Sequence, residues 1–491
     1  MAQLIVDNIW AHFKADSIDK SVLKAIEERM SYKISEYNRW RRTYIDFDKS
    51  LYERGDQKFP TGLYSLFDEV ARSFELDYEI IDLRVKPEVG NTLTLYEKIL
   101  REYQEEIVYD AVKNERGVIK VATGGGKTVI AAAIIAKLNV KTIFIVNSLD
   151  LLEQTHDEFT KMLKIDIGKI GGGYCDIQKI NICTIQTLHS ALGLKYAAVD
   201  EDCYIEEKIA TKVLERKSEI KKLIETCEMV INDECHHSAA NSYVNMMKHA
   251  KRAHWKFACS GTPYRLESTD ILLDAFSGKL IANVTASFLI ERGFLVAPKI
   301  YFLDPNELGK YKYIRDTSFH KIYQKWIVEN NNRNKLISDC ANRLLELNKT
   351  VLITVTRIEH GQRIMDLLYE RIPGIKAAFI KGEVHKDERK RLLNEIREKK
   401  LNVLVGTSVA DEGLDLPALD SAIMGGGGKS LIKSLQRVGR TLRPYPDAEH
   451  NIKKEAIIID FWDHLRYLTG QSVKRMKIYS SEHLFQVLKH F

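Results

Sequence analysis

The sequence predicts an α/β protein in which two parallel-sheet domains follow a small N-terminal α+β domain. The main observation is that short apolar, β-branched runs alternate with helical patterns twice along the chain, which is typical of parallel sheets covered on both faces. The length of 491 residues leaves room for about two to four domains. A composition of 45% hydrophobic and 29% charged residues, without a low-complexity tract, is that of a folded protein.

The first domain is predicted over residues 1–90. Apolar spacing predicts two helices, Ile18–Met30 and Leu63–Phe74, and the second follows the turn Pro60-Thr61-Gly62. Alternating segments predict three short strands, at 32–34, 42–47 and 78–85. The segment 89–92 reads as a linker to the next domain.

Two α/β domains are predicted over residues 94–295 and 296–465. The predicted strands of the first are Val118–Ala122, Thr142–Val146, Ile180–Thr184, Met229–Asn232 and Phe257–Ser260. Those of the second are Val351–Val355, Ala377–Ile380, Val403–Val405, Ser421–Met424 and Ala456–Asp460. The charge-rich helical pattern 210–226 is interpreted as a surface insertion. The basic tail 466–491 lies either in a nucleic-acid channel or as a solvated helix.

Charge and cysteine usage limit the classes of function. A net charge of +6 permits a nucleic-acid partner but does not require one. The 7 cysteines form no CxxC pair, so we expect a reducing compartment and no zinc site. No apolar run is long enough to cross a membrane and no signal peptide is evident, which favours the cytoplasm, host cytoplasm if the chain is phage-encoded.

The strongest motif is the segment Val121-Ala-Thr-Gly-Gly-Gly-Lys-Thr128. It follows a predicted strand and opens a predicted helix, which is the context of a phosphate-binding loop. Its three glycines, Gly124, Gly125 and Gly126, let backbone amides approach phosphate oxygens, and the helix N-terminus favours the negative charge. Lys127 is expected to reach the β- and γ-phosphates of ATP, and Thr128 to bind Mg²⁺. Val121 replaces the usual opening glycine or alanine.

An acidic pair follows another buried strand, in Val230-Ile-Asn-Asp-Glu-Cys-His-His237. Ligands of α/β sheets bind at the carboxyl ends of parallel strands. We expect Asp233 to hold Mg²⁺ and Glu234 to orient and deprotonate the attacking water. His236 is assigned a coupling role, because adjacent histidines lack partners at metal-ligand spacing.

An arginine-rich helix is predicted at Gln436-Arg-Val-Gly-Arg-Thr-Leu-Arg443. Arg440 and Arg443 lie on one helical face and suit the charge that develops in phosphoryl transfer. Because they belong to the second α/β domain, they would complete the ATP site only when the two domains close. A second glycine-rich segment, Ile423–Ser430, has no acidic pair after it, and we interpret it as a loop lining the cleft or the nucleic-acid path.

In this order the motifs resemble those of superfamily 2 helicases, over about residues 95–465. The resemblance implies two RecA-like domains and an ATP hydrolase of the DExH-box type. Leu100–Gln104 resembles the adenine-reading segment, and Gly406–Pro417 resembles motif V. The ATP-binding residues that it implies are Arg101, Gln104, Thr123, Gly413 and Asp415, besides the phosphate loop. The coupling residues that it implies, besides His236, are Ser260, Thr262 and Gln436.

The same resemblance implies contacts to DNA. They are Asn147, Ser148, Thr184, Gln186 and Thr187 in the first domain, and Thr356, Arg357 and Thr407 in the second. Hydroxyls and amides suit phosphates and carry no base information. In the N-terminal domain, Arg39, Trp40 and Arg41 interleave positive charge with an aromatic ring, which suits a phosphate backbone and an exposed base. An edge strand with solvated arginines is the alternative interpretation.

Within superfamily 2 the chain resembles the UvsW-like branched-DNA helicases of phages, and more distantly XPB-like repair helicases. Ile231–His236, Lys169–Gly173 and the N-terminal stretch 40–63 carry this resemblance. It implies unwinding or branch migration of forks, Holliday junctions, R-loops or D-loops in recombination, replication and repair, with RNA–DNA hybrids as a further substrate. Two alternatives stay open: a duplex translocase that does not separate strands, and the motor subunit of a restriction or defence complex. We expect a monomer.

Overall fold

The computed structural model describes residues 2–14, 19–38, 43–194, 215–235, 240–261, 271–305, 318–381, 386–407, 419–427 and 455–490, with positions 442, 444 and 453. The chain divides into two compact units. The first comprises residues 1–121 and 126–283, and the second comprises residues 122–125 and 284–491. No helix among these described ranges is long and apolar enough to cross a membrane.

The N-terminal domain combines two helices with two small sheets. A four-stranded sheet has the order β5-β2-β1-β6, and β3 pairs with β4 in a separate antiparallel hairpin. Residues 39–42, which include Arg39, Trp40 and Arg41, fall between β3 and β4 in the sequence and lie outside the described residues. The elements are β1 (Ala2–Val6), β2 (Trp10–Lys14), α1 (Lys20–Arg29), β3 (Ser31–Asn38), β4 (Thr43–Ser50), β5 (Lys58–Pro60), α2 (Tyr64–Ser73) and β6 (Tyr78–Asp82).

This domain shares a hydrophobic core with the α/β part of the first unit. The ring of Trp10 meets Phe276 edge to face, with ring centroids 6.4 Å apart. The buried ammonium of Lys256 donates to the backbone carbonyl of Asn8. The N-terminal domain is therefore not a separate compact body, because its apolar residues are covered by those of the following domain.

The large sheet of the first unit has eight strands in the order β10-β9-β11-β8-β12-β13-β7-β14. Strands β9, β11, β8, β12, β13 and β7 run parallel, and β10 is antiparallel to β9. Its strands are β7 (Arg116–Val121), β8 (Thr142–Val146), β9 (Ile167–Gly171), β10 (Tyr174–Asp176), β11 (Ile180–Thr184), β12 (Met229–Asp233), β13 (Trp255–Ser260) and β14 (Leu280–Val284). Its helices are α3 (Glu102–Asn114), α4 (Lys127–Leu138), α5 (Leu149–Leu163), α6 (Ile185–Ala191), α7 (Lys217–Thr226), α8 (Ala240–Met247) and α9 (Ile271–Ser277).

The second unit contains a seven-stranded sheet in the order β17-β18-β16-β19-β20-β15-β21, in which all neighbouring strands are parallel. Its strands are β15 (Pro298–Leu303), β16 (Val351–Thr354), β17 (Ala377–Ile380), β18 (Val403–Gly406), β19 (Ser421–Ile423), β20 (Ala456–Phe461) and β21 (Gln486–His490). Its helices are α10 (Ala286–Glu291), α11 (Phe319–Tyr323), α12 (Asn331–Glu346), α13 (Ile358–Arg371), α14 (Lys386–Arg397) and α15 (Arg466–Tyr479).

The predicted fold class is confirmed: two parallel-sheet α/β domains follow a small α+β domain. All ten strands predicted for the α/β domains are present within a residue or two of their expected ends. The prediction missed strands β1, β2 and β5 of the N-terminal domain and strands β9, β10, β14, β15 and β21 of the two large sheets, of which β10, β14 and β21 are edge strands.

The basic C-terminal segment belongs to the second sheet. Residues 466–490 form α15 and the edge strand β21, which pairs with β15. On α15, the buried guanidinium of Arg475 lies 2.9 Å from the carboxylate of Asp460. Part of the positive charge of this segment is therefore used inside the fold.

Candidate active site

The phosphate-loop segment joins β7 to α4, as the sequence predicts. Gly124 and Gly126 have φ values of +88° and +83°, which residues other than glycine rarely adopt. A Cβ atom at Gly126 would lie 2.5 Å from Nε2 of Gln104, so a side chain at this position would displace that amide. The loop thus requires glycine both for its backbone conformation and for the close approach of Gln104.

Gln104 is held at the start of α3. Its Oε1 accepts from the backbone N–H of Arg101 at 3.0 Å, and its Nε2 lies 3.4 Å from the hydroxyl of Tyr103. The same hydroxyl accepts from Nη1 of Arg101 at 3.2 Å. Tyr103 was not singled out from the sequence, although an aromatic residue next to the predicted adenine-reading glutamine was the available signal.

Lys127 and Glu234 form an ion pair at the carboxyl edge of the sheet. The distance between Lys127 Nζ and Glu234 Oε1 is 2.7 Å, and the two side chains are only 12% and 18% exposed. Glu234 has a left-handed backbone, with φ of +46°, which is uncommon outside glycine and is found at functional sites. Its backbone N–H donates to Oδ1 of Asp233 at 2.9 Å. The first lysine of the helix and the acidic pair, separated along the chain, are therefore in contact.

Burial and charge perturb this cluster. The pKa of Asp233 is raised to about 7, first by burial and then by the neighbouring Glu234 carboxylate, against the opposing effect of Lys127. Burial lowers the pKa of Lys127, but the carboxylates of Glu234 and Asp233 outweigh it, so that this pKa is raised. With all three groups ionised, two carboxylates face one ammonium, and the cluster has an excess of negative charge.

Five neighbouring strands end at this edge, and each carries a predicted site residue. These strands are neighbours in the sheet order β11-β8-β12-β13-β7. Thr184, Asp233 and Ser260 are the last residues of β11, β12 and β13. Asn147 directly follows β8, and Lys127 follows the glycine-rich loop after β7. The carboxyl ends of parallel strands meet at one edge of a sheet, which is where α/β proteins bind ligands. Strand order, which the sequence did not show, is what brings these residues together.

Side-chain amides connect the acidic pair to the neighbouring strand ends. Nδ2 of Asn147 donates to the backbone carbonyl of Glu234 at 3.1 Å, and Nε2 of Gln186 donates to that of Asn147 at 3.0 Å. The hydroxyl of Ser260 lies 3.5 Å from Oε2 of Glu234. Of the residues predicted to contact DNA or to couple it to hydrolysis, Asn147 and Ser260 therefore reach the acidic loop directly, and Gln186 reaches it through Asn147.

The remaining predicted DNA contacts of the first unit have structural partners of their own. The side chain of Ser148 accepts from the backbone N–H of Leu151 and begins α5. The hydroxyls of Thr184 and Thr187 are buried and lie 2.9 Å apart. These two hydroxyls face each other in the interior. A DNA phosphate would therefore reach the backbone of this segment more readily than these side chains.

In the second unit, Thr356, Arg357 and Thr407 follow the carboxyl ends of β16 and β18. Thr407 is buried, and its backbone N–H donates to the carbonyl of Ile380 at 3.2 Å. Thr356 bonds the hydroxyl of Tyr323. Strands β16 and β18 are parallel neighbours in the second sheet, so the residues that follow them lie at the same edge of that sheet.

Ten predicted site residues lie outside the described residues. They are Arg39, Trp40, Arg41, His236, Thr262, Gly413, Asp415, Gln436, Arg440 and Arg443. Within the described part of the chain, no group of three or more His, Cys, Asp or Glu side chains is arranged to hold a metal ion by itself.

Comparison with known proteins identifies two conserved domains. Residues 97–265 match the family model described as type III restriction enzyme, res subunit, and residues 334–445 match the helicase conserved C-terminal domain. The chain is 24% identical over 419 residues to the ATP-dependent DNA helicase uvsW of Enterobacteria phage T4, covering 79% of this chain and 76% of that protein.

Two further similarities extend over most of the chain. A protein assigned as helicase 22 of Sulfolobus islandicus filamentous virus (isolate Iceland/Hveragerdi) is 27% identical over 392 residues, covering 76% of this chain and 65% of that protein, so the chain spans just under two thirds of its length. A fragment assigned to the HsdR subunit of a type I restriction enzyme from Vibrio vulnificus YJ016 superposes with a TM-score of 0.57 at 16% identity, covering 94% of this chain and 78% of that one. At this identity the second similarity concerns the fold.

Both helicase domains are therefore present, in order, and the lysine and acidic pair of the first lie in contact at the edge of its sheet. By these two domains the chain belongs to the superfamily 2 helicases, and it resembles the UvsW-like and XPB-like enzymes.

Proposed function

We propose that this protein is an ATP-dependent DNA helicase that unwinds or branch-migrates branched DNA, such as forks, four-way junctions and R-loops. The observation that carries the motor assignment is the contact between Lys127 and Glu234, with Asp233 beside them. The assignment of DNA as the substrate is supported by the relative named ATP-dependent DNA helicase uvsW, which is matched over most of both chains.

The cluster suits ATP with Mg²⁺. Asp233 and the hydroxyl of Thr128 supply oxygen donors, which Mg²⁺ prefers, and the excess negative charge of the cluster is what a divalent cation would offset. In this proposal, Lys127 and the backbone of residues 123–126 bind the phosphates, while Arg101 and Gln104 bind the adenine. Bound Mg²⁺ would neutralise charge on the phosphates.

Glu234 is proposed as the residue that orients the attacking water and accepts its proton. Its carboxylate is held by Lys127 through Oε1 and approached by Ser260 through Oε2. When ATP binds, the ammonium of Lys127 has phosphate oxygens as alternative partners, which would free Glu234 to act as a base. Arg440 and Arg443, with Gly413 and Asp415, are proposed to complete the site from the second domain.

We propose that the hydrogen-bonded chain from Glu234 through Asn147 to Gln186 transmits the nucleotide state to DNA. Asn147 bonds the backbone of the acidic loop, and Gln186 bonds the backbone of Asn147. A shift of Glu234 on hydrolysis would therefore move two segments proposed to contact DNA phosphates. Ser260, Thr262, His236 and Gln436 are proposed to take part in the same coupling.

A second candidate is the motor subunit of a restriction or defence complex, which translocates on duplex DNA without separating strands. It is favoured by the match of residues 97–265 to a restriction-enzyme subunit model. This candidate shares the ATP site and differs in what hydrolysis accomplishes.

One experiment separates the two candidates. ATP hydrolysis and strand displacement are measured side by side on a fork, a four-way junction, an R-loop and a blunt duplex. Displacement that exceeds the blunt-duplex level on at least one branched substrate is the expected result. Hydrolysis stimulated by DNA without displacement on any substrate would establish the translocase, and hydrolysis indifferent to all of them would refute a DNA motor.

A further inference from the structure

A short helix in the second unit changes its winding next to two predicted DNA contacts. Helix α11 continues directly into a π-helical turn, Gln324–Val328. Such turns are rare and frequently occur at functional sites. The turn and the end of α11 face the segment Thr356–Arg357, which follows β16.

The helix and the turn hold Arg357 in place. Nη1 of Arg357 donates to Oε1 of Gln324, Nη2 lies 3.1 Å from Nδ1 of His320, and the guanidinium carbon lies 5.1 Å from the ring centroid of Tyr323. The guanidinium is thus oriented by three side chains from one helical segment. An arginine that only needed solvation would not require this support.

Tyr323 also fixes the neighbouring backbone. Its buried hydroxyl bonds Oγ1 of Thr356 and donates to the carbonyl of Gly426. A Cβ atom at Gly426 would lie 2.9 Å from the backbone nitrogen of Thr356, so this glycine is needed for the close approach of the two strand-end loops. The segment carrying Arg357 is therefore rigidly placed.

Two exposed aromatic rings are connected to this arginine through the ring of Tyr323, which contacts both the guanidinium of Arg357 and the ring of Phe319. Phe319 is 39% exposed and Tyr467 is 38% exposed, although both are large rings. Their centroids are 6.2 Å apart in an edge-to-face arrangement, and Phe319 also lies 5.8 Å from Tyr323. Tyr467 belongs to α15, so two elements distant in sequence present rings to one patch.

The charge of the patch favours an anionic partner. The nearby carboxylate of Glu359 is paired with Arg363 at 2.9 Å and accepts from Gln324 at 3.0 Å. The hydrogen bonds of Arg363 and Gln324, followed by the charges of Arg363 and Arg357, lower the pKa of the Glu359 carboxyl, while Arg357 directs its own hydrogen bonds to Gln324 and His320. Two guanidinium groups thus share one carboxylate, which leaves an excess of positive charge. Exposed rings next to a fixed guanidinium are the combination that binds single strands, with bases on the rings and phosphate on the cation.

We propose that Phe319 and Tyr467 form a base-stacking platform for single-stranded DNA, with Arg357 binding an adjacent phosphate. We call these three residues the stacking patch. The proposal rests on the proposed DNA-motor function and adds a contact to the bases, which the hydroxyl and amide contacts to the backbone do not supply. Stacking tolerates any base, so the patch grips a strand without reading its sequence.

The test compares a thymidine oligonucleotide with an abasic oligonucleotide of the same length and charge, by fluorescence anisotropy on the full chain. The wild-type protein is expected to bind the thymidine strand at least about fivefold more tightly, since a stacked base contributes at least that much. The double variant Phe319→Leu/Tyr467→Leu is expected to lose most of this preference while its affinity for the abasic strand is unchanged. Leucine keeps apolar volume and removes the two rings, together with the hydroxyl of Tyr467.

Two further variants make the test specific. Arg357→Ala is expected to weaken binding of both strands and to lower the salt dependence, because it removes a phosphate contact. Tyr369→Leu is the matched control, since Tyr369 is 55% exposed at the opposite end of α13 from Arg357. It is expected to keep the full preference for bases.

The outcomes separate the two levels of the proposal. A leucine double variant that keeps the wild-type preference overturns the stacking patch, as does a wild-type protein that binds both strands equally while DNA still stimulates its ATP hydrolysis. A wild-type protein that binds neither strand refutes the proposed function instead. Should the leucine variant unfold, the wild-type protein is titrated into an oligonucleotide that contains the fluorescent base 2-aminopurine. Quenching of this fluorescence on binding supports stacking, and unchanged fluorescence refutes it.

Discussion

Replacement of Glu234 by glutamine tests the proposed active site most directly. The substitution keeps the size of the side chain and a hydrogen-bonding oxygen for Lys127, but it removes the negative charge and the basicity. If Glu234 accepts the proton of the attacking water, kcat for ATP hydrolysis should fall by about 10²–10⁴-fold. The change in KM should be much smaller, because the residues proposed to bind phosphate are untouched.

The structure also predicts the effect on the fold. Glu234 and Asp233 together outnumber the one ammonium of Lys127, so the neutral glutamine brings the cluster closer to balance. The neighbouring charge that helps to raise the pKa of Asp233 is lost, so that pKa should fall below its present value of about 7. Asp233 is then more fully ionised at neutral pH and still able to hold Mg²⁺. We therefore expect no large decrease in Tm.

The assay is steady-state ATP hydrolysis with and without DNA, with Tm measured by thermal unfolding. Glu153→Gln is the matched control, because it removes a carboxylate that is paired with Lys169 at 3.1 Å on the same unit but away from the cluster. A Glu234→Gln protein that keeps wild-type turnover and Tm would falsify the assignment of Glu234 as the base. Loss of turnover together with unfolding would instead contradict the charge argument.

Three further predictions concern other parts of the proposed machine. Lys127→Ala should weaken ATP binding at least about tenfold, because a charge-assisted contact to phosphate is lost. Lys137→Ala, at the far end of the same helix, should leave ATP binding unchanged. Equilibrium titration with a fluorescent nucleotide measures both affinities. Arg440→Ala should lower kcat by about 10³-fold or more with little change in nucleotide affinity, as expected of an arginine that stabilises the transition state; equal losses in binding would contradict that role. Trp40→Ala should weaken binding of fork DNA about fivefold or more, while Phe74→Ala, which removes an exposed ring of the same domain, should not; anisotropy on a labelled fork is the measurement.

The fold was predictable to the extent that hydrophobic pattern decides it. Strands such as Thr142–Val146 and Ile180–Thr184 are buried along their whole length, so every residue had to be apolar or able to satisfy its polar group, and the apolar runs are easily recognised. Edge strands such as β14 (Leu280–Val284) have exposed residues and therefore lack that pattern. The segment after residue 465 was interpreted from its charge, although burial of Arg475 against Asp460 places part of that charge inside the fold.

The active site was predictable where chemistry constrains contiguous residues. A loop that wraps phosphate needs glycines at consecutive positions, and an acidic pair needs two adjacent carboxylates, so both motifs are visible in a single sequence. Tyr103 was missed although its partners Arg101 and Gln104 lie beside it in the sequence. Tyr323 was not predicted because its hydroxyl bonds Thr356 and the backbone carbonyl of Gly426, which are distant along the chain. No local pattern records such a contact.

By itself the sequence determined the family, the order of the two helicase domains and the chemical types of the residues in the proposed ATP site, because these depend on short motifs and on the periodicity of apolar residues. Only the tertiary structure decided which of those residues meet. The strand order β11-β8-β12-β13-β7 places Lys127, Ser260, Asp233 and Asn147 at one edge, and the chain order of the strands differs from this order. The tertiary structure also brings Phe319 into contact with Tyr467, about 150 residues further along the chain. Packing and charge act between side chains that are close in space, whatever their separation in the sequence.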